Sequence, residues 1–134
     1  MNRPTHFEIH AEDLNRAQKF YSTVFDWTFQ KWENKAAGAP EYYMIITGDG
    51  KELGINGGML KRMGPQRPEN MAAVNAYVVT MSVANIDETI TKIKNAGGTE
   101  ALPKFAMPGM AWLAYYKDTE GNIFGIYQED KNAK

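Results

Sequence analysis

No cysteine occurs anywhere in the 134 residues. Disulfides, thiolate metal sites and a cysteine nucleophile are therefore excluded. Serine is almost as scarce, with Ser22 in a helix-like stretch and Ser82 in a strand-like one. No Gly-x-Ser-x-Gly, no phosphate-cradling loop and no dinucleotide fingerprint is present, so a serine triad and a nucleotide-phosphate site drop out. No apolar run approaches the roughly 20 residues of a membrane helix. The opening MNRPTHFEIH lacks the apolar core of a secretory signal, and the expectation is a cytoplasmic protein without membrane contact. Charge of one sign is missing as well. With 15 basic against 16 acidic side chains the net charge is −1, which builds no field for nucleic acid.

What is there is ordinary globular material. Hydrophobic residues make up 43% and charged residues 23%. A chain of this length suits one domain that buries about two-thirds of its unfolded surface. His6 to Ala11 alternates, with His6, Glu8 and His10 on one side and Phe7, Ile9 and Ala11 on the other. That period of two predicts a strand. Asp13 then offers a cap, and Leu14, Ala17, Phe20, Tyr21, Val24 and Phe25 recur at helical spacing. Trp27–Trp32, Glu41–Thr47 and Leu53–Leu60 read as three strands, with a Gly48-Asp49-Gly50 turn before the third.

The segment 61–73 carries Gly64, Pro65 and Pro68 with little periodicity, and is expected to be a linker. Beyond it the order repeats. Tyr77–Val83 is a strand candidate. Asn85 caps a helix whose buried stripe is Ile86, Ile90 and Ile93, with Asp87 and Glu88 near its start and Lys92 and Lys94 near its end. Gly97-Gly98 ends it. Three strand candidates follow at Glu100–Phe105, Ala111–Lys117 and Ile123–Gln128. Leu14 and Ile86 open the two helices 72 residues apart, and Gly50 and Gly121 close the late turns 71 apart. The expectation is one α+β domain over 1–134 made of two β-α-β-β-β repeats, about 5–60 and 74–129. A ferredoxin-like sheet is the alternative, but it has only one strand after its second helix.

HFEIHAEDLNRAQKFYSTVFDW resembles the opening of glyoxalase/bleomycin-resistance/extradiol-dioxygenase (vicinal oxygen chelate) proteins, with a strand, an Asp-Leu cap and an Ala-x-x-Phe-Tyr helix turning into Trp. YYKDTEGNIFGIYQ resembles their closing strand pair and its Asp-x-x-Gly-Asn turn. The likeness runs over roughly 5–129 and is strongest to the single-domain, metal-poor branch. It implies two modules forming a curved, cleft-bearing mixed sheet, in a homodimer.

The same resemblance implies where metal-using members keep ligands: at the start of each module's first strand and in its last strand. Those positions fall on His6, Val78, Gly54 and Gly125. Only His6 has a donor side chain, where a catalytic metal commonly needs about three protein ligands. No bound metal or other cofactor is therefore expected. Residues sharing the face of His6 supply the candidate ligand site: His6, Glu8, His10, Asn56, Thr80 and Tyr127. Leu53, Ile55, Phe124 and Ile126 are expected on the opposite face, under the helices. His6, Glu8 and His10, spaced about 6.5–7 Å apart at Cα, could be solvated polar residues, ligand contacts, or a metal or acid/base site outside the family's pattern. The leading expectation is a metal-independent small-molecule binder. The alternatives are an enzyme of lyase, isomerase or dioxygenase type working through His6, Glu8 and His10, and a regulatory or interaction module with a vestigial cleft.

Overall fold

The computed structural model describes residues 6–33, 38, 40–62 and 78–134. It divides into two compact units, Met1–Gln66 and Arg67–Lys134. The first contains β1 (Phe7–Ala11), α1 (Leu14–Phe25), β2 (Thr28–Lys31), β3 (Tyr42–Ile46) and β4 (Gly57–Lys61). The second contains β5 (Thr80–Ser82), α2 (Ile86–Asn95), β6 (Thr99–Met107), β7 (Ala111–Lys117) and β8 (Ile123–Glu129). The sheets share one topology, with strand orders β1-β4-β3-β2 and β5-β8-β7-β6. In each, the last strand returns parallel to the first and antiparallel to the one before it. Both units are therefore α+β, with a helix on one face of a four-stranded mixed sheet. Among the described residues no helix is long and apolar enough to cross a membrane.

Most expected elements stand within a residue or two of their bounds, but three readings change. The strand expected over Leu53–Leu60 starts only at Gly57. Leu53 is fully exposed, and Ile55 is 38% exposed, in the loop ahead of it. Neither packs under the helix. That position on β4 belongs to Met59, fully buried and paired with Ile9. Lys61, expected to open the linker, closes β4 instead. The rest of the linker, apart from Arg62, lies outside the described residues, as does Tyr77 at the start of the fifth predicted strand.

Helix ends follow their caps. Asp13 accepts a hydrogen bond from the Arg16 amide at 2.9 Å, and Asn85 accepts from those of Asp87 and Glu88, both at 3.1 Å. The Gln128 side chain on β8 accepts from the Ile86 amide at 2.8 Å, tying the helix start to the sheet. At the C-terminus of α2, Gly97 takes φ +93°. The Gly98 amide bonds back to Ile93, a Schellman closure that spares a side chain the left-handed conformation.

The first unit's core is aromatic. Tyr21 stacks on Trp27 at 5.0 Å and 6°, and Trp27 meets Phe7 at 5.7 Å. Ile9, Ala11, Ile45 and Met59 complete it from the sheet. In the second unit Ile86 and Ile93 pack with Ala114, Tyr116, Phe124 and Ile126, as parity anticipated for Phe124 and Ile126. The 118–122 turn is self-wired. Asp118 Oδ1 accepts from the amides of Glu120 and Asn122, each at 2.8 Å, with Gly121 at φ +80°.

Tyr116 is 1% exposed, and its hydroxyl donates to Glu100 at 3.2 Å. Burial first, then the Glu100 carboxylate, pushes the phenol up to about 12. In the unfolded chain it ionises near pH 10. Its stabilising contribution is therefore complete below pH 10 and is lost as the pH rises toward 12, because only the unfolded state gains by ionising. Denaturant titrations of wild type between pH 10 and 12 are expected to show a loss on the order of 2 kcal/mol from this group. Tyr116→Phe should lack that part of the alkaline slope, and an identical slope in the variant would contradict the assignment.

Candidate functional site

The face of the first sheet turned away from α1 is where polar side chains gather. Along β1, Ile9 and Ala11 are buried while His6 and Glu8 are exposed and His10 is half-buried. The alternation expected from the sequence thus sends the three polar residues to the face opposite the helix. The imidazole Nε2 of His10 lies 3.4 Å from Glu8 Oε2, with the two side chains 39% and 46% exposed. The site's remaining geometry comes from two residues that strand parity alone did not single out, Tyr42 and Gly58.

Gly57 and Gly58 open β4 and serve opposite faces. A Cβ on Gly57 would lie 2.8 Å from the Phe7 ring, so that glycine makes room for the aromatic core. A Cβ on Gly58 would overlap the Tyr42 hydroxyl. Tyr42 therefore lays its phenol across the sheet, directly over the glycine. Its oxygen reaches His6 Nε2 at 2.9 Å. Burial, then the charge and hydrogen bond of Glu8, raise the Tyr42 pKa above its ordinary value. Glu8 and Gly58 are partners in the parallel ladder, which explains why carboxylate and phenol meet there. Arg62, just past β4, donates from Nη2 to the His10 carbonyl at 3.1 Å and anchors the end of β1.

Asn56 holds a loop. It lies before β4, and its Oδ1 accepts from the Thr47 amide at 2.9 Å, clamping the loop that joins β3 to β4. Thr80 and Tyr127 belong to the second unit. There Thr80 pairs with Gly125 and Ser82 with Tyr127, so all four share the face away from α2. Thr80 Oγ1 would lie 2.6 Å from a Cβ on Gly125. In both units the glycine of the last strand is thus covered by a hydroxyl, Tyr42 in one and Thr80 in the other. The ladders also correct one ligand position. Gly58 faces Glu8 as Gly125 faces Thr80, so the counterpart of Gly125 is Gly58 rather than Gly54, which sits in the loop.

The donor set of a family-type metal does not fit these residues. Val78, Gly58 and Gly125 have no donor atoms in their side chains, and the room beside Gly58 is taken by Tyr42. Among the described residues no group of three or more His, Asp or Glu side chains comes close enough to hold a metal ion. His6, Glu8 and His10 share a face without converging on one point. A shallow groove of about 530 Å³ lies elsewhere in the first unit, between the end of α1 and β2, beside Lys19, Asp26, Trp27 and Phe29. None of the expected site residues lines it.

Two β-α-β-β-β units, each closed by a parallel pairing of last strand with first, define a paired-module α+β protein. The family model for the N-terminal part of bleomycin-resistance-like proteins matches residues 3–37. CFP32, named provisionally as a glyoxylase in Mycobacterium tuberculosis and Mycobacterium bovis, is 24% identical over 130 residues, 96% of this chain. The chain spans only 46% of that relative's length. Among solved structures, a glyoxalase family protein from Bacillus cereus superposes with TM-score 0.74 at 20% identity, covering 96% of this chain and 95% of that one. A mutant of the fosfomycin resistance protein FosX from Listeria monocytogenes, solved with Mn(II) and a dihydroxypropylphosphonic acid, gives 0.69 at 15%, covering 95% and 92%. Leishmania major glyoxalase I gives 0.68 at 16%, covering 98% and 88%. Residues 3–37 thus resemble the N-terminal part of bleomycin-resistance-like proteins, and the fold is the one seen in glyoxalase and fosfomycin-resistance proteins.

Glu8 adds to the burial effect in holding the Tyr42 proton. Removing its charge is therefore expected to lower the Tyr42 pKa while leaving the part due to burial. Phenolate absorbance followed against pH in wild type, Glu8→Gln and Tyr42→Phe isolates this step. An unchanged Tyr42 transition in Glu8→Gln would contradict the contact.

Proposed function

We propose that the chain binds a small molecule on the sheet face carrying His6, Glu8, His10 and Tyr42, without the metal that other superfamily members use. The observation that supports this most is the Tyr42 hydroxyl seated over Gly58, bonded to His6. An exposed, prearranged set of hydrogen-bonding groups stands where a ligating side chain would be needed. In the second unit Thr80 and Tyr127 are the candidate contacts on the corresponding face, and the bond from Asn56 to Thr47 favours a loop-holding role for that residue. The units correspond in this reading to the two expected repeats, and the working form is a cytoplasmic homodimer. Strand edges support the dimer, since β1, β2, β5 and β6 each end a sheet in the strand orders and unpaired edges invite partners.

An enzyme is the second reading. The contact between His10 and Glu8 favours it, because an imidazole beside a carboxylate is a common acid/base pair. The name of the mycobacterial relative and the Leishmania enzyme point the same way.

Native mass spectrometry of untagged protein separates the two, reporting metal, copurified molecule and subunit number together. The expected spectrum is a metal-free dimer that retains a small organic molecule. One zinc, nickel, manganese or iron ion per chain surviving dialysis would overturn the metal-free reading. His10→Ala and Glu8→Gln are each expected to weaken binding of the copurified molecule by about tenfold, the scale of one hydrogen bond to a charged group. The melting temperature should stay put. A lower melting temperature with unchanged affinity would assign these residues to the fold.

A further inference from the structure

The sheet face of the second unit turned away from α2 carries rings at one end and hydroxyls at the other. Ladder pairing sets Phe105, Leu113, Tyr127 and Ser82 in one row across all four strands. Tyr115, Gly125 and Thr80 form the next row. Phe105 and Tyr115 lie 6.5 Å apart and within 16° of parallel, so a flat ring aligned with one is aligned with the other. Phe105 is 37% exposed, and Leu113, Tyr115 and Tyr127 are half-buried. Gly125 keeps the surface continuous. With no side chain of its own, it leaves Thr80 and Tyr115 to meet above it, 2.6 and 3.2 Å from where a Cβ would stand. The hydroxyls on this face are uncommitted. Tyr42, Tyr43 and Tyr116 each hydrogen-bond to another side chain. The hydroxyls of Thr80, Ser82, Tyr115 and Tyr127 make no hydrogen bond among the described residues.

Resting on the reading of this face as a ligand contact, we propose that it takes a flat aromatic small molecule with a hydrogen-bonding substituent. The ring lies on Phe105, Leu113 and Tyr115, where stacking adds to burial. The substituent points to Thr80, Ser82 and Tyr127, whose hydroxyls both donate and accept. Size decides between a small molecule and a second copy of the chain. At the usual strand spacing and rise the two rows cover roughly 14 Å by 7 Å, about 100 Å². A stable protein interface needs about 800 Å² from each partner, whereas a pair of fused rings with a hydroxyl fills the smaller area. An aliphatic molecule is the poorer fit, since it gains burial but nothing from the parallel rings.

The probes are β-naphthol and its ring-saturated counterpart β-decalol, which keeps the carbon skeleton and the hydroxyl but has no aromatic faces. Each is titrated into the ligand-free protein and followed by protein chemical shifts. β-Naphthol is expected to shift the resonances of these two rows. It should bind about tenfold more tightly than β-decalol, the upper range for one aromatic contact. Tyr115→Leu and Phe105→Leu keep apolar bulk, and each should weaken β-naphthol about fivefold while leaving β-decalol nearly unchanged. Phe105 is the more exposed of the two, so its variant serves if Tyr115→Leu melts early. Thr80→Val should weaken both alcohols alike. Equal affinity for the two alcohols would overturn the proposal, as would shifts confined to other faces. Shifts of these residues on dilution of the protein, with neither alcohol bound, would assign the face to a second copy instead. If β-naphthol behaves as expected but native mass spectra retain no molecule sensitive to His10→Ala, the aromatic site stands and the reading of the first unit's face fails. If a copurified molecule depends on Glu8 and His10 while β-naphthol fails to bind, that reading stands and the aromatic site falls.

Discussion

Everything in each unit depends on the last strand returning to lie parallel beside the first. Parallel neighbours cannot be joined by a tight turn. The helix and two further strands are the connection that makes the pairing possible. Once β4 sits between β1 and β3, and β8 between β5 and β7, it is flanked on both sides and covered by a helix on one face. A strand so placed has room for few side chains. Gly57, Gly58 and Gly125 stand in these two strands, and a Cβ on any of them would meet an atom closer than 3.0 Å.

That crowding gives the two faces different chemistry. Beneath α1 the space saved by Gly57 is filled by Phe7, which extends the aromatic stack of Tyr21 and Trp27. On the other face the space saved by Gly58 is filled by a phenol. Tyr42 is half-buried there, and its hydroxyl keeps polar groups beside it. His6 and Glu8 supply these from the β1 side of the sheet, across β4. The polar cluster is thus as much a consequence of strand pairing as the core is.

The units share topology and differ in what they do with it. In the first, the covered glycine is surrounded by a carboxylate, an imidazole and a phenol. In the second, the counterpart Gly125 lies under Thr80 and against Tyr115, which stacks on Phe105 at 6.5 Å. That face has a hydroxyl and aromatic rings but no carboxylate paired to the glycine. The same fold serves solved proteins of different names, as expected when function resides in side chains grafted on a shared frame.

Local chemistry was enough to read the elements. Caps at Asp13 and Asn85, the Gly97-Gly98 stop and the period-two alternation of β1 depend on residues a few positions apart, and these features stand in the structure. The polar face of His6, Glu8 and His10 was legible for the same reason, because strand parity is a local property. The start of β4 was not. Leu53 and Ile55 continue its alternation on paper, yet they find no partner strand, since Asn56 bonds to Thr47 and closes the loop first. Nor was Tyr42 legible as part of the site. Its neighbour Tyr43 is the same residue type, and only the ladder that sets Gly58 beside Glu8 decides which phenol has a space to enter. The sequence by itself determined which residues could form strands, helices and a polar face. The tertiary structure alone decided which glycine is covered, by which hydroxyl, and with which acid beside it, because Tyr42 and Glu8 come to Gly58 from 16 and 50 positions away (58 − 42 and 58 − 8) through backbone pairing that no local pattern encodes.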